Sequence, residues 1–476
     1  MTNKAKKVDN GYKNIWVFFL TFLVFCAIIL LSNISKVNLI NTIVMVGSTL
    51  LLISSIAVFV YYSDRAIANS TRKIATLCAT MLVSYVLVYF CDVVIGQVEI
   101  APFALCALVI SLLVSSKSSF IGNFLVIILY YLQHVNFQSG TILFDETSFF
   151  VLFSGIATAV CSSCVQGKYT SRFSYISIGF VLGLISAICR LLVFLMVNAT
   201  VGWDTILMPL VWSFVGGVVT TMTMFLLLPI FERLFNVVSP FRYSEIANTN
   251  TPLMRKMYEI APGTFNHSLT VANYVEACAT AIGENPFLAR AIAYYHDIGK
   301  MKNPQYFAEN QLDGVNLHDQ ITPETSVSII KSHTTYGISI AKQHRLPIEI
   351  QRAIVEHHGT MPIKYFYFKA QKYTDGKLAY DNYSYAGPKP TSKLTAILMI
   401  CDACEAALRA SNDKNKVESI VDAIVDERMR FDQFSDCPLT MQEIDVIKST
   451  IITTFIGIKH KRVKYPEIKL EEQKQQ

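Results

Sequence analysis

Charge is scarce in this 476-residue chain, at 16%, and the shortage is uneven. Up to about residue 230 the sequence is mostly long apolar runs, and after it the chain turns polar and charged. That contrast excludes an all-soluble reading of a length suggesting about two or three domains. No basic stripe accompanies the net charge of +6, so DNA is not an expected partner. Paired cysteines at zinc-finger spacing are also lacking. Of eleven cysteines, Cys26, Cys78, Cys91, Cys106 and Cys189 stand singly in apolar runs, where thiols act as small hydrophobes. Cys161-x-x-Cys164 and Cys401-x-x-Cys404 have no second pair and read as packing residues. Nothing suggests a disulfide framework, which fits a reducing compartment for the polar half. The first apolar run lacks a small-residue cleavage site, so it reads as a span and not as a signal peptide.

Apolar runs at 15–32, 42–62, 74–95, 101–116, 119–137, 148–165, 173–197 and 206–230 give eight spans, of which the fourth and sixth are short. Lys4, Lys6, Lys7, Lys13, Arg65, Arg72, Lys73, Lys117, Lys168 and Arg172 fall on one side. Lys36, Asp92, Glu99, Asp145, Glu146 and Asp204 fall on the other. The positive-inside rule then puts both termini in the cytoplasm of a cell membrane protein. No long extracellular segment occurs, so a signal has to come from lipid, from a small ligand in the bundle or from a partner. Arg190, inside the seventh span, is a functional candidate unless it pairs within the bundle, and the spans offer no evident acid.

The polar half reads as all-α. Pro252, Pro286, Pro323 and Pro347 open helices, and Gly299 and Gly359 follow helix ends. Ala261–Thr264 reads as a break that leaves His267 on a helix's first turn. One short extended stretch is expected at Tyr365–Phe368. Eight of the nine histidines lie between His267 and His460. Adjacent His296 and Asp297 point about 100° apart on a helix, so a shared ion needs further ligands. His267, His333, His357, His358 and Asp402 supply them, enough for two ions and one shared carboxylate. Helix ends can gather such residues on rigid elements of a bundle. Histidines with two carboxylates suit iron, manganese or other borderline ions and not calcium. Tyr and Lys interleaved at Lys364–Lys369 and 383–390, including Tyr365, Tyr385 and Lys389, suit aromatic bases and phosphates, or else form a loop packed by its own tyrosines. Lys300, just past Asp297, is placed either to add positive charge near a phosphate or as a solvated helix end. His134, His318, His344 and His460 receive no chemistry, His318 being read as a turn residue that braces its loop.

This H…HD…H…HH…D order resembles the HD phosphohydrolase superfamily. Longer wording resembles the seven-transmembrane HD proteins, the PgpH-type cyclic di-AMP phosphodiesterases of bacteria: 261–268 (Ala-Pro-Gly-Thr-Phe-Asn-His-Ser), 293–300 (Ala-Tyr-Tyr-His-Asp-Ile-Gly-Lys), Glu-Asn-Gln at 309–311, Glu-His-His-Gly-Thr at 356–360, Ala-Gly-Pro-Lys-Pro at 386–390 and the basic run at 459–467. The resemblance implies a di-metal centre that opens cyclic di-AMP to pApA; a hydroxide activated by the two ions is the expected nucleophile, with Asp297 and Lys300 expected to serve catalysis. It implies His267, His296, Asp297 and Asp402 for one ion, and His333, His357 and His358 with bridging Asp297 for the other. Family members carry a large extracellular domain after the first span; here residues 32–39 stand in its place. Asn266 replaces a common second His that is not a ligand, and the Gly-Tyr-Pro of the cyclic di-GMP branch is absent after His358.

The expected organisation is a basic N-terminus (1–13), a transmembrane region (14–230), a linker (231–250) and a cytoplasmic HD domain (251–476), with oligomeric state open, a homodimer included. Two other functions fit the residues: hydrolysis of a different nucleotide, cyclic or (p)ppGpp-like, and a nucleotide-binding membrane receptor without catalysis.

Overall fold

The computed structural model describes residues 14–32, 39–134, 146–164, 172–197, 202–311, 316–373, 378–411 and 416–458. Lys4, Lys6, Lys7, Lys13, Lys36, Asp145 and Lys168 of the charge argument lie outside them, as do the 459–467 run and His460. The chain divides into two compact units, Met1–Arg242 and Tyr243–Gln476.

The first unit consists of apolar helices: α1 (Ile15–Ser32), α2 (Leu39–Ser63), α3 (Thr71–Phe90), α4 (Leu105–Leu113), α5 (Ser116–His134), α6 (Glu146–Ser163), α7 (Arg172–Val197) and α8 (Trp203–Phe235). Among the described residues, five helices are long and apolar enough to cross a membrane, and three apolar ones, Ile15–Leu31, Val98–Leu113 and Ser116–Leu132, are shorter. The sixth expected span therefore reaches spanning length at Glu146–Ser163, whereas the fourth does not. The fourth is short because Ala101-Pro102 breaks it from the turn at Val98–Ile100. Large apolar side chains such as Phe173, Leu184, Trp203, Met222 and Leu226 face outward, a surface suited to lipid.

Packing inside this unit uses small and polar residues, as expected where lipid gives helices no hydrophobic reason to associate. A Cβ on Gly217 would lie 2.0 Å from the Gly183 backbone nitrogen, so α7 and α8 cross at backbone contact. Ser154 and Ser186 share a hydrogen bond of 2.8 Å between α6 and α7. Arg190 finds its acids at segment ends and not within the spans: Nη1 is 2.7 Å from Glu146, Nε is 3.3 Å from Glu99, and the guanidinium lies over Phe150. Arg190→Met leaves both carboxylates without a cation. We expect a loss of roughly 3 kcal/mol, the low end for breaking a buried pair, since Glu146 keeps 27% of its side chain exposed. Thermal unfolding of the detergent-solubilised chain measures it.

The regular elements of the second unit's described residues are helices: α9 (Pro252–Ile260), α10 (Pro262–Ala281), α11 (Pro286–Tyr295), α12 (Pro323–Gln343), α13 (Ile348–Glu356), α14 (Lys364–Gln371), α15 (Lys393–Ala410), α16 (Val417–Arg430) and α17 (Met441–Ile458). No strand occurs among the described residues, only an isolated bridge between Pro362 and Ser384. Caps explain the boundaries. Thr251, Asn285 and Thr322 each accept from a backbone N–H of the helix that follows, with proline next in sequence. Ser392 and Thr395 form a capping box at the start of α15. Met254, Val271, Val275, Ile292, Ile354, Ile397, Ile400 and Ile447 fill the core.

Two expectations change here. Tyr365–Phe368 is not extended but lies in α14, where Phe366 and Ala370, four residues apart, are buried on one face. Aromatic β-propensity gave way to that packing. The break before α10 is confined to Ala261, since Pro262 and Gly263 form the helix's first turn. His267 therefore sits on the second turn.

Candidate metal centre

Four elements bring histidines to one point. α11 ends at Tyr295 with His296 as its cap, and a 3-10 turn, Ile298–Lys302, follows Asp297. α13 ends at Glu356 and delivers His357 and His358. His267, His333 and Asp402 come from within α10, α12 and α15. Close approach is possible because of glycine: a Cβ on Gly299 would fall 1.8 Å from the His333 carbonyl oxygen and 2.6 Å from the Gly337 nitrogen.

Two donor sets result, each with ligand atoms within 4.8 Å of one another: His267, His296, Asp297 and Asp402, and Asp297, His333, His357 and His358. Asp297 belongs to both. Its Oδ2 lies 3.1 Å from His296 Nε2, and its Oδ1 lies 3.5 Å from His333 Nε2 and 3.7 Å from His357 Nε2. On the Asp402 side, Oδ1 is 2.9 Å from His267 Nε2.

The hydrogen bonds on the far side of each ring test whether these residues fit a metal. His296 Nδ1 donates to Ala293 O at 2.8 Å, His333 Nδ1 to Ile330 O at 2.5 Å and His357 Nδ1 to Ile354 O at 3.0 Å. His267 Nδ1 meets Glu405 Oε2 at 2.5 Å. Each contact fixes a tautomer and turns an Nε2 lone pair toward the centre, as outer partners of metal-binding histidines do. His296 Nε2 and Asp297 Oδ1 are buried there without a hydrogen-bond partner. Buried polar atoms left so are costly unless an ion takes them up. The donor sets fit divalent metal ions.

The field agrees. Burial disfavours charge on His267, yet Asp402 and Glu405 raise its pKa to about 9. Burial also opposes charge on His296, and Asp297 and Asp402 outweigh it, raising the pKa to about 10. Asp402 is held well below the carboxylate range: burial opposes this, but the neighbouring His267 and His296 rings prevail. Burial lowers His333 to about 4, with Asp297 opposing and His357 and Lys300 adding to the fall, so that ring is a neutral donor. The first set thus attracts positive charge strongly, while in the second burial keeps His333 and His358 neutral.

Lys300 is buried against this centre, its Nζ 2.7 Å from Asp297 Oδ2 and 2.8 Å from Glu309 Oε1. Burial works against its charge, but those carboxylates raise its pKa and keep it an ammonium. Beside the centre lies a cavity of about 350 Å³, the size of a small ligand pocket. Lys300, His333, His358, Tyr365 and Tyr385 line it. The Tyr385 ring stacks on His358 at 4.2 Å between centroids. Lys389 lies elsewhere, its Nζ 2.7 Å from Asp432 Oδ2.

Several supporting residues escaped the sequence reading. Glu405 braces His267, and its position three residues after Asp402 on one helix face was the available signal. Glu356 is buried and accepts from Thr391 N at 2.9 Å and from the Thr391 and Thr395 hydroxyls, which ties the double-histidine turn to the start of α15. Glu309 holds Lys300 and also accepts from Thr264 Oγ1 at 3.1 Å on the first turn of α10. For Glu405→Gln we expect metal affinity to fall about 10- to 100-fold, the usual effect of losing an outer partner. Metal titration of the purified chain reads this directly.

An all-helical unit with paired His/Asp donor sets, joined to a membrane bundle, defines an HD-domain membrane protein. Residues 264–407 match the HD domain, and residues 42–239 match the family described as 7TM receptor with intracellular HD hydrolase. Two successive stretches of the chain thus match the two parts of this seven-transmembrane HD architecture. It is similar to the cyclic-di-AMP phosphodiesterase PgpH of Listeria monocytogenes serotype 1/2a (strain 10403S), 36% identical over 436 residues that make up 89% of this chain and 59% of that one. It is also similar to PgpH of Bacillus subtilis (strain 168), 34% identical over 424 residues, 87% of this chain and 58% of the other. The chain thus spans less than two thirds of the length of these relatives. The solved HD domain of L. monocytogenes PgpH in complex with cyclic di-AMP is 46% identical, with a TM-score of 0.43, covering 44% of this chain and 99% of that one.

Proposed function

We propose that this chain is a membrane-anchored, metal-dependent phosphodiesterase that opens cyclic di-AMP to linear pApA. The observation that carries the reading is the pair of donor sets sharing Asp297 beside a cavity lined by aromatic rings and Lys300. The similarity to two cyclic-di-AMP phosphodiesterases over most of this chain supports the substrate. His267, His296, Asp297 and Asp402 would hold one ion, and His333, His357, His358 and Asp297 the other, with iron or manganese favoured by the donors. Divalent ions at such a site lower the pKa of water toward neutrality and screen phosphate charge.

The chain's own residues supply the rest. Asp297 keeps both donor sets in register. The Lys300 ammonium, fixed by Glu309, adds positive charge where the cavity meets Asp297. Burial raises the Tyr385 hydroxyl's pKa, so it stays a hydrogen-bond donor for phosphate or base. Tyr365, exposed on the cavity's rim, offers a stacking face. We assign residues 14–230 to the membrane, 231–250 to a linker and 251–476 to the catalytic domain, with both termini in the cytoplasm of the cell membrane. Neither DNA nor a second copy of the chain is needed for this reading.

The test is product chromatography after incubating the purified, metal-loaded full chain with cyclic di-AMP, cyclic di-GMP and (p)ppGpp. Conversion of cyclic di-AMP to pApA ahead of the others is expected. Preference for another nucleotide overturns the substrate, and binding without turnover of any overturns the enzyme.

A further inference from the structure

The same cavity holds a histidine that the metal centre does not use. His318 lies on the 3-10 turn Leu317–Asp319 and is 6% exposed. Its backbone is pinned on both sides: Asn316 Oδ1 accepts from His318 N at 3.1 Å, and Lys369 Nζ donates to His318 O at 3.0 Å. The ring is wedged between Tyr306, 5.4 Å away between centroids, and Phe366, 5.0 Å away. All three residues line the cavity beside His333 and His358.

The ring's hydrogen bonding assigns its chemistry. Nε2 is 2.8 Å from Tyr306 O, and a carbonyl only accepts, so Nε2 carries the proton. Burial, with the Lys369 ammonium nearby, lowers the His318 pKa and keeps the ring neutral. Nδ1 is then a bare acceptor, and it is buried with no hydrogen-bond partner. A fixed, buried acceptor set among aromatic rings suits a flat heterocycle that presents an N–H donor on its edge.

Resting on the cyclic di-AMP reading, we propose that His318 Nδ1 accepts a hydrogen bond from the exocyclic amine of one adenine and makes the site selective for 6-aminopurines. A 6-oxopurine such as guanine places a carbonyl oxygen there, acceptor against acceptor, and leaves Nδ1 unsatisfied. A site built to hydrogen-bond a substrate group rejects the analogue that lacks it, because its own buried partner stays unpaired.

The experiment compares cyclic di-AMP with the cyclic dinucleotide whose purines carry hydrogen at position 6, in the full metal-loaded chain and in His318→Phe. In the wild type, removing the amine is expected to lower kcat/KM about tenfold or more. In His318→Phe the ratio between the two substrates is expected to collapse toward unity. Taking a ratio within one protein cancels general losses of activity or metal. A wild-type ratio near unity overturns the proposal without any variant, and so does an unchanged ratio in His318→Phe. If the wild type cleaves bis(p-nitrophenyl) phosphate but neither dinucleotide, the functional reading fails instead. Inhibition of that cleavage then decides for His318: AMP must inhibit more tightly than purine riboside monophosphate in the wild type only, and equal inhibition sinks the assignment.

Discussion

Asp297→Asn is expected to abolish turnover, by about three orders of magnitude or more, equivalent to about 4 kcal/mol of barrier. Asp297 is the one residue common to both donor sets, with Oδ1 toward His333 and His357 and Oδ2 toward His296 and Lys300. An amide keeps the shape but removes the charge and turns one edge into a donor. Toward Lys300 that edge sets donor against donor, and toward His333 and His357 it would hydrogen-bond the imidazole lone pairs that an ion needs. Metal content of the purified variant, read beside the rate of diester hydrolysis, checks the prediction. Substantial activity with full metal content would remove Asp297 from the centre of the account.

Gly299→Ala is expected to act through geometry alone. Its new methyl would sit 1.8 Å from the His333 carbonyl oxygen, and backbone cannot swing aside as a flexible side chain can. Overpacking costs about 1–3 kcal/mol, and a backbone clash belongs at the upper end. For a unit of this size that corresponds to a fall in Tm of roughly 6–12 °C. Relief requires α12 to move, carrying His333 away from Asp297, so the second donor set should lose its ion before the first. Calorimetry and metal analysis of one preparation read both effects. An unchanged Tm with both ions retained contradicts this packing.

Much of the centre was legible in the chain because proline and glycine punctuate it. Pro286 and Gly299 bracket the helix end that carries His296 and Asp297, and Gly359 marks the turn after His357 and His358. What spacing could not give was the partner of each side chain. Glu405 resembles any surface glutamate until α10 brings His267 against it. Arg190 had no evident acid because Glu99 and Glu146 sit at segment ends and meet it only when the helices pack. His318 looked like a turn residue, and only the burial of its ring between Tyr306 and Phe366 sets it apart. Tyr365–Phe368 misled because aromatics favour strands in isolation, whereas the burial of Phe366 with Ala370 settles that segment as a helix.

The most direct test is the metal-to-chain ratio measured alongside cyclic di-AMP turnover as ions are stripped from the full-length protein and restored. About two ions per chain at full activity, with turnover rising only as the second is restored, is the outcome predicted for paired donor sets joined by one carboxylate. Full turnover in a preparation holding less than one ion per chain would contradict it.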